Sequence, residues 1–190
     1  VKPRAAAPTP EEIIAATQDW LEKAVIGLDL CPFARAVHVR NQIRYVVSDA
    51  ETPEDLLADL NRELWALTTA DPEAIDTTLL IHPRIFNDFL DYNDFLDDAE
   101  AAVALLDLEG VIQVASFHPQ YQFAGTGPND VENFTNRSPY PMLHLLREAS
   151  VERAVAAFGD ASEIFEKNIE TMRRLGPEGW RRLGIRKAGE

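Results

Sequence analysis

Residues 77–83, TTLLIHP, form an apolar, strand-like run that stops on a His-Pro pair, and residues 111–119, VIQVASFHP, end the same way. The chain has four histidines, and two of them, His82 and His118, stand at these endings. Working outward, residues 43–48 (IRYVVS) are β-branched and aromatic, as strands are. Thr52-Pro53-Glu54-Asp55 is a helix-start signal ahead of leucines at helical spacing, predicting a helix over 52–68. A further helix is expected over about 87–108, with Gly110 as its terminator. The order strand, helix, strand, helix, strand implies parallel pairing through right-handed crossovers. We therefore expect an α/β fold with a small, mostly parallel sheet of three to four strands flanked by helices. In such a sheet ligands sit beyond the carboxyl ends of the strands, which is where His82 and His118 fall.

Around this frame, Thr9-Pro10-Glu11-Glu12 reads as a capping box and predicts a first helix of about 18 residues. Three helical stretches, 139–149, 151–158 and 162–175, are expected to form a C-terminal helical segment. Residues 119–137 contain two glycines and no periodic pattern, and an irregular segment of that length is usually functional or disordered. The near-repeat NDFLDYNDFLDD at 87–98 has carboxylates but lacks the glycine and final glutamate of a calcium loop in its spacing, so it reads as a solvated helix face.

The 190 residues fit a single α/β domain over 1–190, with residues 1–8 as a flexible start and 177–190 as a basic tail. No apolar run is long enough to span a bilayer, and the start lacks the apolar stretch of a secretory signal, so a cytoplasmic location with no membrane partner is expected. A single cysteine excludes an internal disulfide and a thiolate zinc cluster. Net charge is −14, with −18 on residues 1–172 and +4 on 173–190. An acidic body repels a phosphate backbone, which argues against nucleic acid as a partner. The tail's Arg173, Arg174, Arg181, Arg182, Arg186 and Lys187 could hold an acidic partner, but read first as a helix end and solvated tail.

Four groups of residues could carry chemistry. His82 and His118 suit acid–base work or metal ligation, or each caps loop carbonyls while its proline turns the chain. Ser138 reads as an N-cap with Pro139 opening a helix, whose free N–H groups with Arg137 would hold an anion. On that helix His144 and Arg147 would share a face, with Tyr140 one turn before His144. Cys31 precedes Pro32; at the start of a short helix it would be a thiolate nucleophile, a redox thiol or a haem ligand, and otherwise a small buried hydrophobe. In the long segment, Tyr121, Asn133 and Asn136 are further substrate-binding candidates. Phosphate-loop, dinucleotide, nucleophile-elbow and H-E-x-x-H signatures are all missing.

Several stretches carry a resemblance: LCPFA at 30–34, IRYVVSD at 43–49, ASFHPQYQF at 115–123 and NFTNRSPYP at 133–141. In these the chain, from about Ile13 to Ile185, resembles a bacterial family known only as domain of unknown function 1415. The resemblance implies a cytosolic protein of this length and transfers no activity, cofactor or catalytic residue.

The expectation from the residues is an enzyme acting on a small anionic metabolite, phosphorylated or carboxylated. Arg137, Ser138 and Arg147 would hold the anion, and His82, His118 and His144 would move protons. The alternatives are a metal-dependent hydrolase binding zinc or iron through those three histidines, a non-catalytic haem or redox module using Cys31, and an adaptor whose acidic body docks a basic partner. The oligomeric state is left open.

Overall fold

The computed structural model describes residues 7–158 and 161–189, so most of the expected flexible start lies outside the described residues. Helix α1 (Pro10–Trp20) begins on Thr9, whose hydroxyl accepts from Glu12 N–H while the Glu12 carboxylate accepts from Thr9 N–H. It runs on as a wider π-helical turn, Leu21–Ile26, which accounts for the long amphipathic stretch. After the six-residue α2 (Ala34–Val39) come β1 (Ile43–Val47), α3 (Pro53–Thr69), β2 (Thr77–Ile81), α4 (Phe89–Leu105) and β3 (Ile112–Phe117). This is the alternation read from the sequence, with element ends shifted by one to three residues.

The sheet differs from expectation in one strand. Residues 142–147 form β4 (Met142–Arg147), not a helix, and the sheet order is β1-β2-β4-β3. The β1–β2 pair is parallel, and β4 lies antiparallel to both β2 and β3. The sheet is therefore mixed rather than mostly parallel. Because β4 is hydrogen-bonded on both sides, β1, β2 and β3 still run the same way, and their carboxyl ends share one edge.

Both faces of the sheet are covered. Leu80, Leu143, Leu145 and Ile112 pack against the leucines of α3 and against Tyr92, Phe95 and Ala99 of α4. Leu79, Ile81 and Met142 face the other way, onto Ile13, Trp20, Leu21 and Val25. Burial on two faces explains why β2 and β4 read as continuous apolar runs rather than alternating ones.

The chain closes with α5 (Glu148–Phe158) and α6 (Ala161–Arg182), the latter broken at Gly176, where φ is +65°. The expected solvated tail is instead docked. Trp180, Leu183 and Ile185 pack on the α1 side of the core. Among the described residues no helix is long and apolar enough to cross a membrane.

Candidate functional site

The two His-Pro endings meet, as the strand directions require, at the carboxyl edge of the sheet. Both imidazoles are fully buried and stand against the Tyr92 ring, with centroids 5.6 Å (His82) and 5.1 Å (His118) from it. His118 Nδ1 accepts the Gln120 N–H at 2.9 Å, so the proton sits on Nε2, which donates to the Phe86 carbonyl at 3.0 Å. His82 Nδ1 donates to the Ile85 carbonyl at 3.3 Å, and its buried Nε2 has no partner among the described residues. Burial holds His82 neutral, pushing its pKa down to about 4. The His118 pKa is lowered for the same reason, with a smaller downward push from the Lys187 charge. The pair thus clamps the loop between β2 and α4, in which Phe86 takes a φ of +57°, a region bulky side chains avoid.

Beside this edge opens a cleft of about 360 Å³ between the 119–137 segment and the docked C-terminus, lined by Pro119, Phe134, Arg137, Trp180, Arg186 and Lys187 among others. Among the described residues that line it none is acidic. The Arg137 guanidinium lies 4.6 Å over the Phe134 ring, which stacks on Trp180 at 5.2 Å. Its partners are backbone carbonyls, Tyr121 through Nε at 3.3 Å and Pro128 through Nη2 at 2.6 Å. Desolvation without a compensating carboxylate lowers its pKa. Nearby, Arg173 is paired with Glu132, and Arg181 and Arg182 with Glu178. By contrast, Arg186 and Lys187 form no ion pair among the described residues; Lys187 lies 5.9 Å over the Tyr140 ring.

The 119–137 segment is ordered around Asn133. That side chain is fully buried, accepts from Phe123 N–H (2.9 Å) and Thr126 Oγ1 (2.8 Å), and donates to the Gly127 carbonyl (2.7 Å). Asn136 donates to the Ser116 carbonyl at 3.1 Å, and the short 3₁₀ turn Val131–Asn136 carries Phe134 into the cleft. Ser138, expected to cap a helix, instead donates to the Tyr140 carbonyl at 2.6 Å where the chain enters β4. The expected helix terminus with its free N–H groups is therefore not present, and the polar groups at this place are side chains. Of the expected binding residues, Arg137 and Ser138 line the cleft, Tyr121 supports Arg137 through its carbonyl, and Asn133 and Asn136 hold the segment.

Three expected participants stand elsewhere. Arg147 lies at the far end of β4, where its Nη2 donates to the carbonyls of Leu67, Ala70 (2.9 Å) and Ile75 (3.2 Å) and closes the end of α3. His144 pairs with Leu79 and Ala115 in mid-sheet and faces α1, with Nε2 2.8 Å from the Thr77 hydroxyl. Thr77 Oγ1 donates to the Leu145 carbonyl, so Nε2 of His144 supplies the proton between them. Desolvation of this partly buried imidazole pushes its pKa down to about 4. The expected gathering of three histidines thus fails, since β-strand alternation turns His144 away from His82 and His118. Among the described residues no group of three or more His, Cys, Asp and Glu side chains is placed to hold a metal ion.

Cys31 shares with His144 a small apolar cavity of about 40 Å³. That is room for a few waters, far short of a haem. Burial raises the thiol's pKa despite help from the Phe33 and Ala34 N–H groups, which favours the small buried hydrophobe of the two readings over the thiolate.

The sequence shows Arg186 and Lys187 only as part of a basic tail and gives Trp180 and Phe134 no role in a site; the signal for them is the change of charge sign at residue 173.

Neither a curated protein nor a solved structure matches this chain. One family model matches, described as "Protein of unknown function (DUF1415)", over residues 12–182. That span takes in the sheet, the His-Pro edge and most of the cleft, and the chain belongs to this family.

Proposed function

We propose that the protein binds a small anionic metabolite, phosphorylated or carboxylated, in the cleft lined by Arg137, Arg186 and Lys187. The observation that carries this reading is three cations around a cavity with no acidic lining residue among the described residues, in a chain whose net charge is −14. The acidic surface opposes approach only over a short range, since the Debye length is about 8 Å at physiological salt, whereas the three cations act at contact distance. A cavity of 360 Å³ falls at the small end of the range typical of metabolite sites.

Arg137 is prepared for the role. Two carbonyls and an aromatic face fix its fork in place, so little ordering entropy is lost on binding, and a bound anion would offset the desolvation of the guanidinium. The histidines serve the same site indirectly: for His118 to move a proton it would have to release Gln120 N–H or the Phe86 carbonyl. Recognition belongs to the cations, and the imidazoles hold the edge on which the cleft is built.

A thermal-unfolding series in sodium phosphate against sodium chloride of equal ionic strength tests the reading. Phosphate is expected to raise the midpoint progressively with concentration, as ligand linkage requires. Identical midpoints in the two salts up to tens of millimolar would refute it.

A further inference from the structure

A second cavity, also of about 360 Å³, adjoins the cationic cleft, and Pro119 and Arg137 line both. Its remaining wall has a different chemistry: Phe89 and Leu90 from the first turn of α4, the amides of Gln120 and Gln122, and Asp88. Leu90 is 70% exposed, an apolar side chain with nothing over it. The Gln120 side chain makes no hydrogen bond among the described residues, while Gln122 donates to the Thr126 carbonyl. Asp88 accepts the N–H groups of Leu90 (2.8 Å) and Asp91 (3.3 Å), so its carboxylate caps α4 at the rim of this cavity.

We infer that the ligand is bipartite: one anionic end held by Arg137, Arg186 and Lys187, and an uncharged body with an apolar face that passes Arg137 and lies against Phe89 and Leu90 in the second cavity. This rests on the anion-binding reading above and narrows it. A bare inorganic anion fills only the first cavity. A molecule anionic at both ends brings its second charge toward the Asp88 carboxylate, where among the described lining residues no cation other than the shared Arg137 compensates. The ligand class is thus an ester or acid of a small anion with an apolar, hydrogen-bonding body, in preference to free phosphate or an α,ω-dianion.

Calorimetric titration of the full chain at fixed ionic strength with inorganic phosphate, n-hexyl phosphate and hexane-1,6-diol bisphosphate tests this. Hexyl phosphate is expected to bind at least tenfold more tightly than phosphate, and the bisphosphate more weakly than hexyl phosphate. Leu90→Asn, a neutral change at an exposed position, is expected to remove most of the hexyl gain and leave phosphate affinity unchanged. Equal affinities for phosphate and hexyl phosphate, or a gain that survives Leu90→Asn, would overturn the bipartite ligand while leaving the anion cleft standing. Failure of all three compounds to bind would remove the cleft itself, and this inference with it.

Discussion

His82 and His118, on strands that do not touch each other, donate their imidazole protons to the carbonyls of two consecutive residues, Ile85 and Phe86. One loop is therefore fastened to two strand ends, and Phe86 is kept in a backbone conformation that costs on the order of 1 kcal/mol or more. His118→Phe removes one bond to Phe86 and one from Gln120 and leaves both backbone groups unpaired. A loss of about 2–3 kcal/mol is expected in urea unfolding. A loss below about 0.5 kcal/mol would show that the clamp contributes little.

Stability should fall in mild acid. His82 and His144 have folded-state pKa values near 4, below the ordinary 6.5, so between these values the unfolded chain binds more protons than the folded one. Their contribution is complete above about pH 6.5 and is lost as pH drops toward 4, by about 3 kcal/mol for each imidazole as an upper bound. Loss of net negative charge works the other way over the same range. The test is thus a difference: denaturant unfolding of the native chain and of His144→Asn at pH 7, 5.5 and 4.5. The native chain is expected to lose stability more steeply, and parallel pH profiles would contradict the assignment.

Trp20 ties the amino-terminal helix to the cleft, its indole N–H donating to the Arg137 carbonyl at 2.8 Å across 117 positions of sequence. Trp20→Phe keeps a ring against Phe117 but loses that donor. We expect about 1–2 kcal/mol of destabilisation by urea titration, together with weaker phosphate binding. Destabilisation with unaltered affinity would mean that Arg137 is placed independently of α1.

Cys31 should be a sluggish thiol. Alkylation by iodoacetamide at pH 7.5 is expected to be at least tenfold slower in the folded chain than in urea, because burial both shields the sulfur and raises its pKa. Comparable rates, or faster modification when folded, would return Cys31 to the list of nucleophiles.

Much of the frame was legible because local signals agreed with the global arrangement. Thr52 caps α3 through Asp55 N–H at 3.2 Å, and β2 and β3 each stop two residues before a proline, Pro83 and Pro119, that cannot continue a ladder. The strand β4 was not legible. Met142, Leu143, Leu145 and Leu146 fit a helical stripe as well as a strand buried on two faces, and Ser138-Pro139 imitated a helix start. That one substitution of strand for helix separated His144 from the other histidines and sent Arg147 to the opposite end of the sheet. Arg137 was singled out on the ground of a helix terminus that does not form; it lines the cleft for a different reason, held there by the Tyr121 and Pro128 carbonyls. Its partners Arg186 and Lys187 come from the far end of the chain, and only the packing of Trp180, Leu183 and Ile185 onto the core brings them there. No local pattern encodes that docking.

The cationic cleft can be interrogated directly by calorimetric titration of inorganic phosphate into the native chain and into an Arg186→Gln/Lys187→Gln double variant. Neither side chain is used in an ion pair among the described residues, so the fold should persist and its unfolding midpoint serves as the control. Saturable binding by the native chain, weakened at least tenfold in the double variant, is the predicted result. No heat of binding from the native chain, or an affinity indifferent to both substitutions, would contradict it.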